Sequence, residues 1–114
     1  MTKVLRLVDF RRSAQVVHFS RTEINQLLSL YSRQVTKGLW RDYAIDHDDT
    51  VARFHVFRHA GEKPLFTVVK RRDAGASAAA QTFSLYAGTH RMRQGEGLLD
   101  LLEALEHRMK LVRS

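Results

Sequence analysis

Residues 40–59, WRDYAIDHDDTVARFHVFRH, constrain the fold more than any other part of the chain. Two runs of alternating residues flank the polar HDDT, and alternation of period two is the signature of strands. If Asp46 pairs with Val51, Tyr43 falls opposite Phe54, Ile45 opposite Ala52 and Arg41 opposite Val56. That face is apolar apart from its end. The other face carries Asp42, Ala44 and Asp46 opposite His55, Arg53 and Val51. A slip of one residue would mix the faces, so the pattern resists it. Such a hairpin has one face to bury and one to wet, and a second layer must cover the buried one.

Two helical stripes supply that layer. Ser20-Arg21-Thr22-Glu23 matches the capping box, in which the Ser side chain takes the Glu23 amide and the Glu side chain reaches back. Ile24, Leu27, Leu28, Tyr31 and Val35 then share one helical face, and Gly38 marks the stop. Leu39 and Trp40 are expected to fold back over the last turn, with Tyr43 and Ile45 in the core. A second helix starts near Glu96 and presents Leu98, Leu101, Leu102, Leu105, Met109 and Val112. Glu96 and Asp100 near its start and Arg108, Lys110 and Arg113 near its end suit the helix dipole. Between the stripes, LFTVVKR and QTFSLYAG read as third and fourth strands. In the third, Leu65, Thr67 and Val69 compete with Phe66 and Val68 for the inward face. The expected fold is α+β and two-layered: helix, four-stranded antiparallel meander, helix, with both helices on one sheet face and the other wet. Residues 1–14 are expected to be a flexible basic arm, and 15–114 a single domain.

Charge narrows the partners. The chain has 114 residues with a net charge of +7, a pI near 10.4 and no cysteine. The last point excludes disulfides, thiolate metal sites and cysteine nucleophiles. No apolar run approaches the roughly 18–20 residues that span a bilayer, and the N-terminal stretch lacks the apolar region of a signal peptide. The reading is therefore cytoplasmic. Basic residues gather in 1–14 and 51–73, while 39–50 holds four acids against Arg41. A field of that sign draws nucleic acid or acidic proteins.

The segments LLSLYSRQVTKGLWRDYAID and FHVFRHAGEKPLFTVVKR resemble a family of small, chiefly alphaproteobacterial proteins, domain of unknown function 2794. The similarity runs from about Phe19 to Lys70 and continues weakly to the end. It implies one domain and no particular activity.

The candidate chemistry follows from the wet face. Arg53, His55, Phe57 and His59 alternate there, with Lys70, Arg71 and Arg72 closing the next strand. Basic residues interleaved with an aromatic suit phosphate contact and base stacking. Arg91 and Arg93 precede two glycines and a helix start, where a phosphate can sit, although Glu96 opposes an anion there. Nucleic acid, RNA before DNA, is the leading partner; an acidic protein or a second copy on the same face is the runner-up. Arg53→Glu or Lys70→Glu is expected to weaken nucleic-acid binding and to leave thermal stability within a few degrees. No catalytic motif, cofactor loop or metal set is legible: His55 and His59 would lie about 13 Å apart along a strand, and HDDT reads as turn chemistry rather than a calcium loop.

Overall fold

The computed structural model describes residues 17–59, 61–72 and 81–113. The expectations for the arm 1–14, for the small-residue loop 73–80 and for the Val112 side chain lie outside the described residues. Two helices, α1 (Arg21–Thr36) and α2 (Leu98–Arg113), bracket five strands: β1 (Asp42–His47), β2 (Val51–Phe57), β3 (Phe66–Arg72), β4 (Gln81–Ala87) and β5 (His90–Gly95). The strands form one antiparallel meander in the order β1-β2-β3-β4-β5.

Helix α1 begins and ends as its sequence dictates. Ser20 Oγ accepts the Glu23 amide at 3.1 Å and Glu23 Oε1 accepts the Ser20 amide at 2.7 Å, closing the capping box. At the other end Gly38 takes φ 77°, a region costly to any residue with a Cβ. The Gly38 amide then reaches Val35 O and the Leu39 amide reaches Gln34 O, both at 2.9 Å. These two bonds are the Schellman pair, and they satisfy carbonyls that the helix end leaves open.

The core is a single cluster. Leu27 and Leu30 of α1 and Leu98, Leu101, Leu102 and Leu105 of α2 meet Ala52, Phe54, Val56, Val68, Phe83 and Leu85, all on one face of the sheet. Val17, Phe19 and Trp40 complete it. Truncating any of these leucines to Ala would cost roughly 2–5 kcal/mol. Between the helices, Arg33 donates through Nε and Nη2 to both oxygens of Glu106, and the buried Gln34 amide donates to Glu106 Oε2 at 3.1 Å.

Several expectations are corrected. The sheet has five strands, not four. HRMRQG forms β5, an outer strand that needs no alternating apolar residues because little of it is covered. Gly88 (φ 62°) and Thr89 make the two-residue turn that starts it. Gly first with no positive φ at Thr89 fits type II′, whose twist matches the strands. A bulge opposite Leu85 and Tyr86 absorbs Met92, which packs against the core.

The first hairpin keeps its faces but shifts its register by two residues. Asp46 pairs with Arg53, Ile45 with Phe54 and Tyr43 with Val56. The turn explains the shift. Asp48 Oδ1 accepts the amides of Thr50 and Val51 and the Thr50 hydroxyl, at 2.9, 3.1 and 3.0 Å. That carboxylate holds a tight Asp49-Thr50 loop without any residue of positive φ.

Tyr43 and Ile45 do face the helices, but on the outer strand β1 they stay 40% and 39% exposed. Val35 is also exposed, and Leu30 and Gln34 take the inward positions instead. On β3 the helix-facing residues are Phe66, Val68 and Lys70. The opposite face is not uniformly wet, since Val51, Val69 and Ser84 are buried on it.

Candidate functional site

The helix-free face brings Arg53, His55 and Phe57 together as expected, then occupies two of them. Adjacent rows of the ladder place Asp46 beside Arg53 and Ala44 beside His55. Arg53 donates through Nη1 to Asp46 Oδ1 at 2.8 Å and through Nη2 to Asp48 Oδ2 at 3.0 Å. His55 Nε2 lies 3.0 Å from Asp46 Oδ2, and its Nδ1 lies 2.9 Å from Thr67 Oγ1. A carboxylate only accepts, so Nε2 carries the proton and, in the neutral ring, Nδ1 accepts the threonine hydroxyl. The Arg53 guanidinium holds the Asp46 carboxyl below its ordinary range, with His55 adding to the effect. Asp48 is lowered further, first by the Thr50 amide and then by Arg53. The charge on Arg53 is thus matched by two local carboxylates.

Asp46, His55 and Thr67 have the hydrogen-bond order of a hydrolytic triad. Thr67 lies within a strand paired on both sides, with β2 and β4. Backbone amides there are committed to the ladder, so a neighbouring pair of N–H groups cannot form an oxyanion hole. The array is a cross-strand polar network that fixes the edge strand β1 to the sheet.

The remaining expected residues scatter. Lys70 points the other way: it is 7% exposed among the helices and donates to His18 O at 2.6 Å and to Glu23 Oε1 at 2.8 Å. It cannot meet a phosphate without unfolding its surroundings. The cause is register, because Lys70 pairs with Ala52 and Phe83, both on the helix side. Arg72 shares that parity and is partly buried, whereas Arg71 is exposed on the helix-free side. Arg91, opposite Tyr86, donates to Gln94 Oε1 at 2.6 Å. Arg93 is exposed in register with Leu85. His59 lies beyond the end of β2, off the strand face. Phe57 is half-buried, its ring 6.4 Å from that of His55.

Sequence reasoning missed a basic end. Arg41, Arg58, Lys63 and Arg108 are exposed there and form no ion pair among the described residues. The Arg41 amide bonds Phe57 O at 2.8 Å, which sets Arg41 beside Arg58. Two concavities open at this end. One, of about 290 Å³, is lined by Arg58, His59, Glu62, Lys63 and Leu65. The other, of about 230 Å³, is lined by Leu39, Trp40, Arg58, Leu65, Phe66, Arg108 and Met109. Arg58 and Leu65 belong to both. These cations come from separate segments, and only the turn after β2 (FRHAGEKP) carries a local hint of them.

A family model described as protein of unknown function (DUF2794) matches residues 17–101. The chain belongs to that family. The matched range runs from Val17 of the core through β5 to the buried Leu101 of α2, so it takes in both helices and the whole sheet. Comparison with the curated proteins and with the solved structures returns no match. Among the described residues no helix is long and apolar enough to cross a membrane, and no three His, Cys, Asp or Glu side chains gather as a metal set.

Proposed function

We propose that this DUF2794 protein is a non-catalytic binding module for an anionic partner, with nucleic acid, RNA before DNA, as that partner. The observation that carries the reading is the division of charge. Asp46, Asp48, Glu23 and Glu106 are each engaged by an internal cation, while Arg41, Arg58, Lys63 and Arg108 stand exposed at one end. The net +7 is therefore displayed outward rather than matched inside the fold. Phosphates lie over the basic end, and Arg91 on the outer strand β5 extends the track. Phe57 and His59, beside Arg58, offer ring surface for an unpaired base, which favours single-stranded RNA. The sheet face of Arg53 and Lys70 is no longer the centre of the interface.

Fluorescence anisotropy with a short labelled RNA tests the reading. The double variant Arg58→Glu with Lys63→Glu should lower affinity at least about tenfold and reduce the salt slope by about 2. Arg53→Glu, already surrounded by carboxylates, should change affinity much less. Equal binding by the parent protein and the double variant would sink the proposal.

A second reading has its own observation. All six residues of β1 are exposed, and Tyr43, Ile45 and Val35 leave an apolar margin beside that outer strand. A protein partner, or a second copy, adding a strand there would cover it. Ile45→Lys should then turn an associated species into a monomer in light scattering; a monomeric parent protein would dispose of that reading.

A further inference from the structure

We propose that the concavity floored by Trp40 is a binding site for a small free carboxylate with an apolar tail. Its volume of about 230 Å³ is below the roughly 300–1,000 Å³ of pockets for drug-sized ligands. It exceeds the roughly 150 Å³ of an engineered cavity that takes benzene. The site therefore fits a fragment with one short alkyl chain or one ring. Leu39, Leu65, Phe66 and Met109 supply apolar walls, and the exposed Arg58 and Arg108 supply positive charge on the same lining.

Trp40 adds an independent observation. It is 2% exposed, and its Nε1 is the buried side-chain polar atom with no hydrogen-bond partner among the described residues. A buried donor left unmatched is destabilising and calls for an acceptor. Trp40 also borders an inner void of about 10 Å³ lined by leucine, valine and phenylalanine side chains. That void is at the limit for a single water and offers it no polar side chain. An acceptor therefore enters from the outer pocket. The occupant needs an oxygen for the indole N–H, negative charge for the arginines and an apolar body for the walls. A carboxylate with a short tail has all three.

This goes beyond the nucleic-acid reading, although both use Arg58 and Arg108. RNA anisotropy tests the basic end, whereas the pocket is read by its own probe, because Trp40 is the chain's single tryptophan. The experiment titrates octanoate, below its micellar concentration, into the full-length protein and follows tryptophan emission, with 1-octanol as the neutral control. Saturable change is expected with a Kd near the millimolar range, as befits a fragment. Arg58→Ala and Arg108→Ala should each weaken octanoate roughly 2- to 5-fold, the scale of an exposed ion pair, and leave octanol unchanged. No saturable change with octanoate would overturn the proposal. So would equal binding of octanol and octanoate, or arginine variants that bind octanoate like the parent protein, since either shows an apolar hollow without recognition of the carboxylate.

Discussion

Replacing Lys70 by Met removes a cation that three elements share. Its ammonium donates to His18 O at 2.6 Å ahead of α1 and to Glu23 Oε1 at 2.8 Å within the capping box, from the centre of β3. Lys70 is 7% exposed, and the Glu23 side chain 13%. Breaking a buried pair from one side costs roughly 3–5 kcal/mol, because the partner charge stays behind. Here Glu23 keeps the Ser20 amide at 2.7 Å and the Gln81 amide at 3.5 Å. Those donors argue for the lower end, about 3 kcal/mol. At about 4 °C per kcal/mol for a domain of this size, Tm falls by about 12 °C. Glu23→Gln added to Lys70→Met should recover about 1–2 kcal/mol, since the amide keeps an acceptor for the cap and buries no charge. Urea unfolding followed by circular dichroism, with Trp40 emission as a second probe, measures both. A Lys70→Met variant within about 0.5 kcal/mol of the parent protein would refute the buried-pair argument, because surface substitutions typically stay in that range. Lys70→Glu places a second carboxylate against Glu23 and should be worse still, the reverse of what the sequence suggests for an exposed lysine.

Two further outcomes follow from local geometry. Gly38→Ala should cost about 1 kcal/mol, read as a lower urea midpoint. A Cβ there would meet nothing within 4 Å, so only its positive φ resists the change; an unchanged midpoint would contradict that account. Asp46, Asp48 and Glu106 all have folded pKa values below their unfolded ones, through Arg53, the Thr50 amide and Arg33 respectively. Depressed carboxylates stabilise above their unfolded pKa and lose that contribution as pH falls through the folded value. Tm should therefore decline from about pH 4–5 downward, and Asp48→Asn should flatten part of that limb. A Tm independent of pH in this range would refute the assignment.

Local signals were legible in the sequence, and distant juxtapositions were not. The Ser20–Glu23 box and the Gly38 stop are self-contained, so α1 could be read nearly to the residue. Alternation around HDDT separated the two faces of the first hairpin. It could not set the register, because a shift of two preserves every face and only the Asp48 side chain decides between the alternatives. Strand β5 carried no apolar alternation, and its one cue was the Gly88-Thr89 turn. Lys70 was misplaced for a related reason. Both faces of FTVVKRR hold valines, and both are buried at Val68 and Val69, so its pattern does not reveal which way the lysine points. The basic end was hidden because Arg41, Arg58, Lys63 and Arg108 converge only once the meander and α2 are assembled.

The central claim, that outward-facing positive charge serves a nucleic-acid partner, is tested most directly by anisotropy of the parent protein with a short single-stranded RNA across a salt series. Four or five phosphate contacts at about 0.7 each predict log K falling with log salt at a slope near −3. A slope near zero, or no binding at the lowest salt, would contradict it.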